Sequence, residues 1–547
     1  MRRLPLVVLV VALAAAVGIT IAGTAGDPAG SAAPTTSTIR PSAPAIAGGP
    51  TPSAAGASAS PAPSAPTPSG PPVDGPLADV AIVPVTQFRS TVLSVGPSDI
   101  EAALAGTSAR FDALELVGDD ADAILAGLGV ERPAGDPNLI LATDSATLTA
   151  DLAAHRKHLA ILRADAVGPG VRAVGWGAKQ LFGVDAVESV AAWGLTARLP
   201  QPAGEPPFDP AATWTLVAGG DIMLDRGVAQ TLTVKKKGAD FAFDGGTAEV
   251  TGTCRNCSPL GWDTPYTKRT GNAGAVRDLL ESADVAIANF ENPAPDTFRY
   301  HTSGTVFSAN PKLIAGLADA GIDWVGIANN HIRDAGGQGI LQTIANLTRY
   351  GIRSSGAGKD LKSARTPAIL DVHGVKVAFL AYDTIAKSYG ATGARAGSAQ
   401  MSAAAVRTDV AAARKAGAGV VIVFPHWGTE YDPTPFGGQR KLAEAAIDAG
   451  ADLVIGNHAH WAGAVEVYHG KPIWYALGNF VFDQTWSIPT MEGITLELTF
   501  RGPTLVQARM RPHIILDKAQ PNFLDPAGSG RVVLGQVYDA SKGLLPW

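Results

Sequence analysis

The chain has 547 residues, 46% of them hydrophobic, which is enough to fill roughly two to four cores and excludes a wholly disordered protein. Lys+Arg 43 against Asp+Glu 49 leaves a net charge of −6 and no basic surplus, so no nucleic-acid partner is expected. Two cysteines make one bridge at most, not a disulfide scaffold.

Arg2 and Arg3 precede an uncharged apolar run over residues 4–22, and small residues follow at 22–26. A signal-peptide core spans about 7–15 apolar residues and a membrane helix about 20, so the run lies at the boundary. Residues 1–26 are expected to be a retained membrane anchor, or alternatively a signal peptide cleaved after about Ala25. No cysteine follows the run, which argues against a lipoprotein. Either way the remainder is expected on the extracytoplasmic face, membrane-anchored or, in the alternative, secreted. Residues 27–76 hold 13 of the 40 prolines, no aromatic residue and three charges, and are expected to be a disordered linker.

Residues 77–200 read as a smaller, mixed α/β accessory domain of unknown task, faintly similar to periplasmic substrate-binding domains. Apolar runs at 80–85, 91–95 and 139–142 predict strands. Stretches at 98–105, with Ser98 as N-cap, and 146–155 predict helices. His155 and His158 lie three apart on a helix-like stretch, the spacing of a ligand pair. Arg156 and Lys157 between them favour a solvated polar face instead. A proline-rich break at 200–210 ends this region, and residues 211–547 form the second one.

Five apolar runs there (213–218, 285–288, 324–328, 419–424 and 453–455) each end in metal-capable side chains. Helical patterns at 275–282, 311–320, 339–350, 402–416 and 439–449 alternate with them. Such alternation predicts a largely parallel sheet with every polar cluster opening onto one crevice. The clusters contribute Asp221, Glu291, Asn330, His331, His426, His458 and His460. Carboxylate, imidazole and amide oxygen together suit one or two divalent ions such as Mn, Fe or Zn. Alternation at a strand end is expected to turn His458 and His460 the same way. His301, His373, His469 and His513 read as ordinary surface or core histidines.

The ordered motifs GDIMLDR (220–226), NFENP (289–293), ANNHIRDAGGQGI (328–340), HWGTEYDPTP (426–435), AGADLVIGNHAHW (449–461) and YALGNFVFDQ (475–484) carry a resemblance. They resemble the CapA family of poly-γ-glutamate capsule biosynthesis proteins, itself similar to calcineurin-like metallophosphoesterases. The resemblance implies a four-layer α/β/β/α sandwich over 211–547. It implies Asp221 and His460 on a first metal, Glu291 as bridge, and Asn330, His426 and His458 on a second. It further implies His331 as general acid, Arg226 as an anion contact, and Asn289, Asp334, Glu430, Tyr431, Asn479, Asp483 and Gln484 as supporting or substrate-contacting residues. The implied partners are an anionic envelope polymer or phosphoester and other capsule-synthesis membrane proteins.

Two departures stand out. Met223 occupies the position of an expected histidine ligand, and a thioether suits a hard ion poorly, so one ion or two is left open. The alternative is then a non-catalytic polyanion-binding or export component, using Arg226 and Lys235, Lys236 and Lys237. Asp225-Arg226-Gly227 resembles a phosphoesterase motif with the spacing one residue too long. Cys254 and Cys257, in a Gly/Thr-rich insertion, are expected to form a local disulfide outside the cytoplasm.

Overall fold

The computed structural model describes residues 75–132, 135, 137–201, 204 and 206–546. The expected anchor at 1–26 and all but the end of the linker at 27–76 lie outside the described residues. Among the described residues no helix is long and apolar enough to cross a membrane.

Residues 77–200 build a six-stranded sheet in the order Leu139–Ala142, Ala113–Val117, His158–Arg163, Leu77–Gln87, Val171–Ala173, with Thr196–Pro200 also paired to Leu77–Gln87. The Leu77–Gln87 strand is buried along most of its length because both of its faces are covered, which its near-continuous apolar run already required. The strand expected over 91–95 shrinks to Ser94–Val95. Ser98 does not cap the first helix: Pro97–Leu104 starts from Gly96 with Pro97 in its first turn, where a missing N–H costs nothing. Ser145–Ala154 is capped by Asp144, which accepts from the Thr147 N–H. His155 ends that helix and His158 opens the next strand, so the two rings do not share one helical face.

The second region holds two large sheets. The ten-stranded sheet has a parallel centre of Thr213–Ile222, Val285–Phe290, Ile322–Gly326 and Arg353–Ser355. Its other side is an antiparallel extension through Glu492–Arg501, Thr504–Leu516 and Gln520–Leu524. It ends in the hairpin Thr247–Cys254 and Thr264–Gly271, which the Gly/Thr-rich insertion forms. The six-stranded sheet is parallel through Val375–Asp383, Val420–His426, Leu453–Ile455 and Lys471–Trp474.

The two sheets pack face to face. Leu216, Ile287 and Trp324 of the first share one core with Phe379, Ile422 and Ile455 of the second. Trp324 is the main bridging ring, stacked on Phe379 at 4.8 Å and edge-on to Phe424 at 5.1 Å. Such aromatic pairs add about 0.5–1.5 kcal/mol each beyond their buried area. Ala275–Glu281, Ile314–Asp319 and Gly336–Arg349 cover the outer face of the first sheet. Ala403–Lys415 and Gly437–Asp448 cover that of the second. The layers are therefore α/β/β/α, as the resemblance implied.

Buried Glu497 joins the two regions: it pairs with Arg511 at 2.6 Å and Arg509 at 3.6 Å, and accepts from the Val184 N–H at 3.1 Å. Burial pushes its carboxyl up, but the two guanidiniums outweigh that and hold it below the usual range.

Candidate metal centre

Each implied ligand stands at or just beyond the carboxyl end of a strand. Asp221 closes Thr213–Ile222, Glu291 follows Val285–Phe290, and Asn330 and His331 follow Ile322–Gly326. His426 ends Val420–His426, while His458 and His460 follow Leu453–Ile455. The expectation of one sheet needs correcting, because the carboxylates and Asn330 come from the ten-stranded sheet and the three histidines from the six-stranded one. The crevice forms where the strand ends of both sheets meet, which brings polar groups together above a shared apolar core.

Two glycines permit that approach. A Cβ on Gly220 would lie 1.9 Å from the Gly478 carbonyl oxygen, and one on Gly456 would lie 2.2 Å from that of Tyr475. His458 and His460 are not in a strand at all; their φ values of +91° and +57° are left-handed. Strained turns rather than strand alternation aim these rings, at a cost on the order of 1–3 kcal/mol each.

The donor atoms of Glu291, His426 and His458 all lie within 4.8 Å of one another, and so do those of Asp221, Glu291 and His460. Glu291 belongs to both groups. His426 Nε2 lies 2.8 Å from Asn330 Oδ1, 3.0 Å from His458 Nδ1 and 3.5 Å from Glu291 Oε1. His460 Nδ1 lies 3.4 Å from Asp221 Oδ2, and its Nε2 is 3.9 Å from Glu291 Oε1. Such spacings suit ligands about 2.0–2.2 Å from a shared ion. Glu291 is fully buried, and neither carboxylate oxygen has a hydrogen-bond partner. A buried carboxylate without donors costs several kcal/mol unless a cation neutralises it, so these residues fit a divalent metal.

A second layer fixes the donors. Asn289 Nδ2 donates to Asp221 Oδ1 at 2.7 Å and lies 3.2 Å from His426 Nδ1. Asn479 Oδ1 takes the Nδ1 side of His460 at 2.9 Å, leaving Nε2 toward Glu291, while its amide is held by Gln484 and the Thr490 carbonyl. His513 is buried and low, near 4, chiefly through desolvation; it steadies the Asn479 carbonyl at 2.8 Å. It is a core histidine, as expected, with a supporting place behind the centre. His331 Nδ1 is 2.9 Å from Asp334 Oδ2, and its ring packs 4.1 Å from Phe307. Asp334 is itself fixed by the Phe307 N–H and the Tyr389 hydroxyl. The His331 Nε2 side faces Asn330 at 3.2 Å and Glu291 at 4.0 Å.

The electrostatics divide the histidines. Burial disfavours a charged His460, yet Glu291 and Asp221 outweigh it and push the ring up to about 9. Burial also opposes charge on His426, and Glu291 again wins, raising it. His458 lies well below its ordinary value through burial and its neighbours His426 and His460. Burial would raise Asp221, but His460, His426 and Asn289 hold it below the usual carboxylate range.

Met223 is fully buried in the apolar layer beneath the sheet, and its sulfur accepts the Asp225 N–H at 3.0 Å. Arg226 lies behind the crevice, its guanidinium donating to Asp483 at 2.5 Å and the Gly304 carbonyl at 2.9 Å. It lies over Phe307 and Phe482, the rings that pack on His331 and His460. Asp483 also accepts from the Gly227 N–H, so its partners are Arg226 and this backbone. Glu430 is exposed, and its charge acts on His460 and Tyr431.

Tyr431 joins Trp262 and Trp461 in an aromatic cluster beside His460. Trp262 comes from the loop between the Thr247–Cys254 and Thr264–Gly271 strands, which begins with the Cys254–Cys257 disulfide. Sequence reasoning missed Asp225: fully buried, it accepts from the N–H groups of Arg226, His301 and Ser308 and pairs with the His301 ring. It thereby pins the segment around 301–308 beside His331, and His301 is more than an ordinary surface histidine. Its signals in the sequence were its place in Asp225-Arg226-Gly227 and its acidic N-cap type before Arg226. This segment lines a cavity of about 430 Å³, with Arg299, His301, Phe307, Asp334 and Gln338 in its wall.

Residues 215–484 match the family described as bacterial capsule synthesis protein PGA_cap. The chain is 31% identical over 339 residues to a capsule biosynthesis protein CapA of Bacillus anthracis, covering 60% of this chain and 74% of that one. It is 32% identical over 330 residues to a probable polyglutamine synthesis accessory protein of Mycobacterium tuberculosis, covering 57% and 82%. Among solved structures, a 5'-nucleotidase precursor from Thermus thermophilus aligns at 12% identity over 60% of this chain and 59% of that one, with a TM-score of 0.33. Matched in sequence from the Thr213–Ile222 strand through Gln484, and across most of the length of these relatives, the chain belongs to the bacterial capsule synthesis protein family PGA_cap, that of the CapA proteins.

Proposed function

We propose that this chain is a metal-dependent hydrolase of the extracytoplasmic face, acting on a phosphoester or another anionic bond during assembly of capsule, poly-γ-glutamate or a related envelope polymer. The observation that carries the catalytic reading is Glu291, whose two buried, hydrogen-bond-free oxygens stand between two groups of metal-type donors. Asp221, Glu291 and His460 would hold one divalent ion, and Glu291, Asn330, His426 and His458 a second; Mn, Fe or Zn suits such donors. Bound ions of this kind supply positive charge to the attacked group and an acidified water. His331, oriented through Nδ1 by Asp334 and presenting its Nε2 edge to the centre, serves as the general acid for the leaving group. Phe307 shields one face of that ring from water.

Arg226, engaged by Asp483, serves as a positioning residue rather than a substrate contact. The Trp262, Tyr431 and Trp461 cluster forms the rim against which the rest of the substrate packs. The extracytoplasmic placement, with an N-terminal anchor as the membrane attachment, is supported by the apolar run at 4–22 and by the Cys254–Cys257 disulfide, which belongs to an oxidising compartment. The family relatives named for capsule and polyglutamine synthesis support the polymer setting.

The test is chelator-stripped full-length protein reconstituted with Mn²⁺, assayed on aryl phosphates and on poly-γ-glutamate-containing envelope material. Activity that vanishes on stripping and returns with the ion is expected; activity indifferent to stripping would overturn the reading. Metal binding should also depend on pH with a definite sign. His460 keeps its proton up to about 9 in the metal-free protein, and a cation must displace it. Affinity measured by calorimetry should therefore rise as pH rises toward about 9, with proton release that shrinks over the same interval.

A further inference from the structure

A second cluster of metal-type donors lies far along the chain from the centre above, in residues 77–200. Glu115 sits in the Ala113–Val117 strand, and His158 opens the neighbouring His158–Arg163 strand. Asp151 lies in the last turn of Ser145–Ala154, and His155 caps it. We propose that Glu115, Asp151, His155 and His158 form a further divalent-cation site of zinc-type chemistry, independent of the Glu291 centre.

The geometry is convergent. The two imidazoles stack with centroids 4.5 Å apart and an interplanar angle of 10°. His155 Nδ1 lies 3.1 Å from Asp151 Oδ1, and His158 Nδ1 lies 3.5 Å from Asp151 Oδ2 and directly against Glu115 Oε1. One donor atom from each of the four residues lies within 4.8 Å of all the others. Two nitrogens and two carboxylate oxygens without a thiolate are a tetrahedral zinc set.

A second observation points the same way. Glu115 is fully buried and its Oε2 has no hydrogen-bond partner, and the groups set against it and the neighbouring Asp151 carboxylate are the two imidazoles. The carbonyl end of Ser145–Ala154 adds partial negative charge at the same place. Lys157, the nearby cation in sequence, is directed to Asp112 at 3.6 Å. His155 is about half exposed (side-chain exposure 52%), which leaves solvent access for an incoming ion. A bound ion would clip the end of the helix to two strands of the sheet, giving this region a metal-dependent stability that its sequence alone does not advertise.

The test uses full-length protein, stripped with chelator and titrated with Zn²⁺ alone, with uptake counted by elemental analysis and stability followed by thermal unfolding. His155→Ala keeps the fold because its ring is partly exposed, and Asp151→Asn serves as the second variant. Wild type is expected to take up one tight equivalent more than either variant and to show a Zn²⁺-dependent rise in Tm that both variants reduce. Asp221→Asn, which alters the other centre, should keep that equivalent. Equal uptake by wild type, His155→Ala and Asp151→Asn would overturn the proposal, as would loss of the equivalent in Asp221→Asn alone. Neither result bears on whether the Glu291 centre is catalytic.

Discussion

Glu291→Gln is expected to fold and to lose most of the metal held at this centre, falling there from about two equivalents to below one, with hydrolysis reduced at least about a hundredfold. The reason is topological. Asp221 belongs to one donor group and His458 to the other, whereas Glu291 belongs to both. Replacing one carboxylate oxygen by an amide keeps volume and shape while removing the charge that both ions would share. In metal-free protein the same substitution removes the charge that Glu291 sets against His426 and His460, so the stripped variant should be less stable than stripped wild type near neutral pH. Elemental analysis after gel filtration, beside thermal unfolding of stripped samples, reads both effects. Asp221→Asn and His458→Ala should each lose about half as much metal. A Glu291→Gln protein that keeps two equivalents would show that the ions, if bound, are held elsewhere.

His331→Ala separates chemistry from binding. The ring lies 4.0 Å from Glu291 Oε1 and meets Asn330 at its Nδ2 rather than its Oδ1, so its removal should leave the metal content unchanged. Loss of a positioned general acid typically costs about 10²–10⁴ in rate, and that is the expected fall in kcat with little change in KM. Asp334→Asn should give a smaller fall, because the ring stays in place while its Nδ1 partner loses its charge. Rate constants for wild type and both variants, each with its metal content, decide the matter. Wild-type activity in His331→Ala would remove this residue from the mechanism.

Much of the centre was legible because its residues follow a local rule: each stands where an apolar strand run breaks into polar residues. Asp221, Glu291, Asn330, His426 and the 458–460 turn could be collected that way without knowing any pairing. The division of those strands between two sheets was not legible from periodicity, since a doubly covered parallel strand reads the same in either sheet. Turn strain at His458 and His460 left no mark that alternation could detect. Arg226 reads as a free anion contact until its partner Asp483, on a distant segment, is seen beside it. Likewise the pair His155 and His158 reads as solvated surface because Glu115 reaches it only through strand pairing. In most of the misses the deciding partner was non-local, whereas in each success the signal lay within a few residues.

The proposed hydrolase depends above all on two ions sharing Glu291. A crystal of the full-length protein loaded with Mn²⁺ and measured for anomalous scattering tests this directly. The expected map has two peaks about 3.5–4 Å apart, one among Asp221, Glu291 and His460 and the other among Glu291, Asn330, His426 and His458. A map with no peak against Glu291 would contradict it.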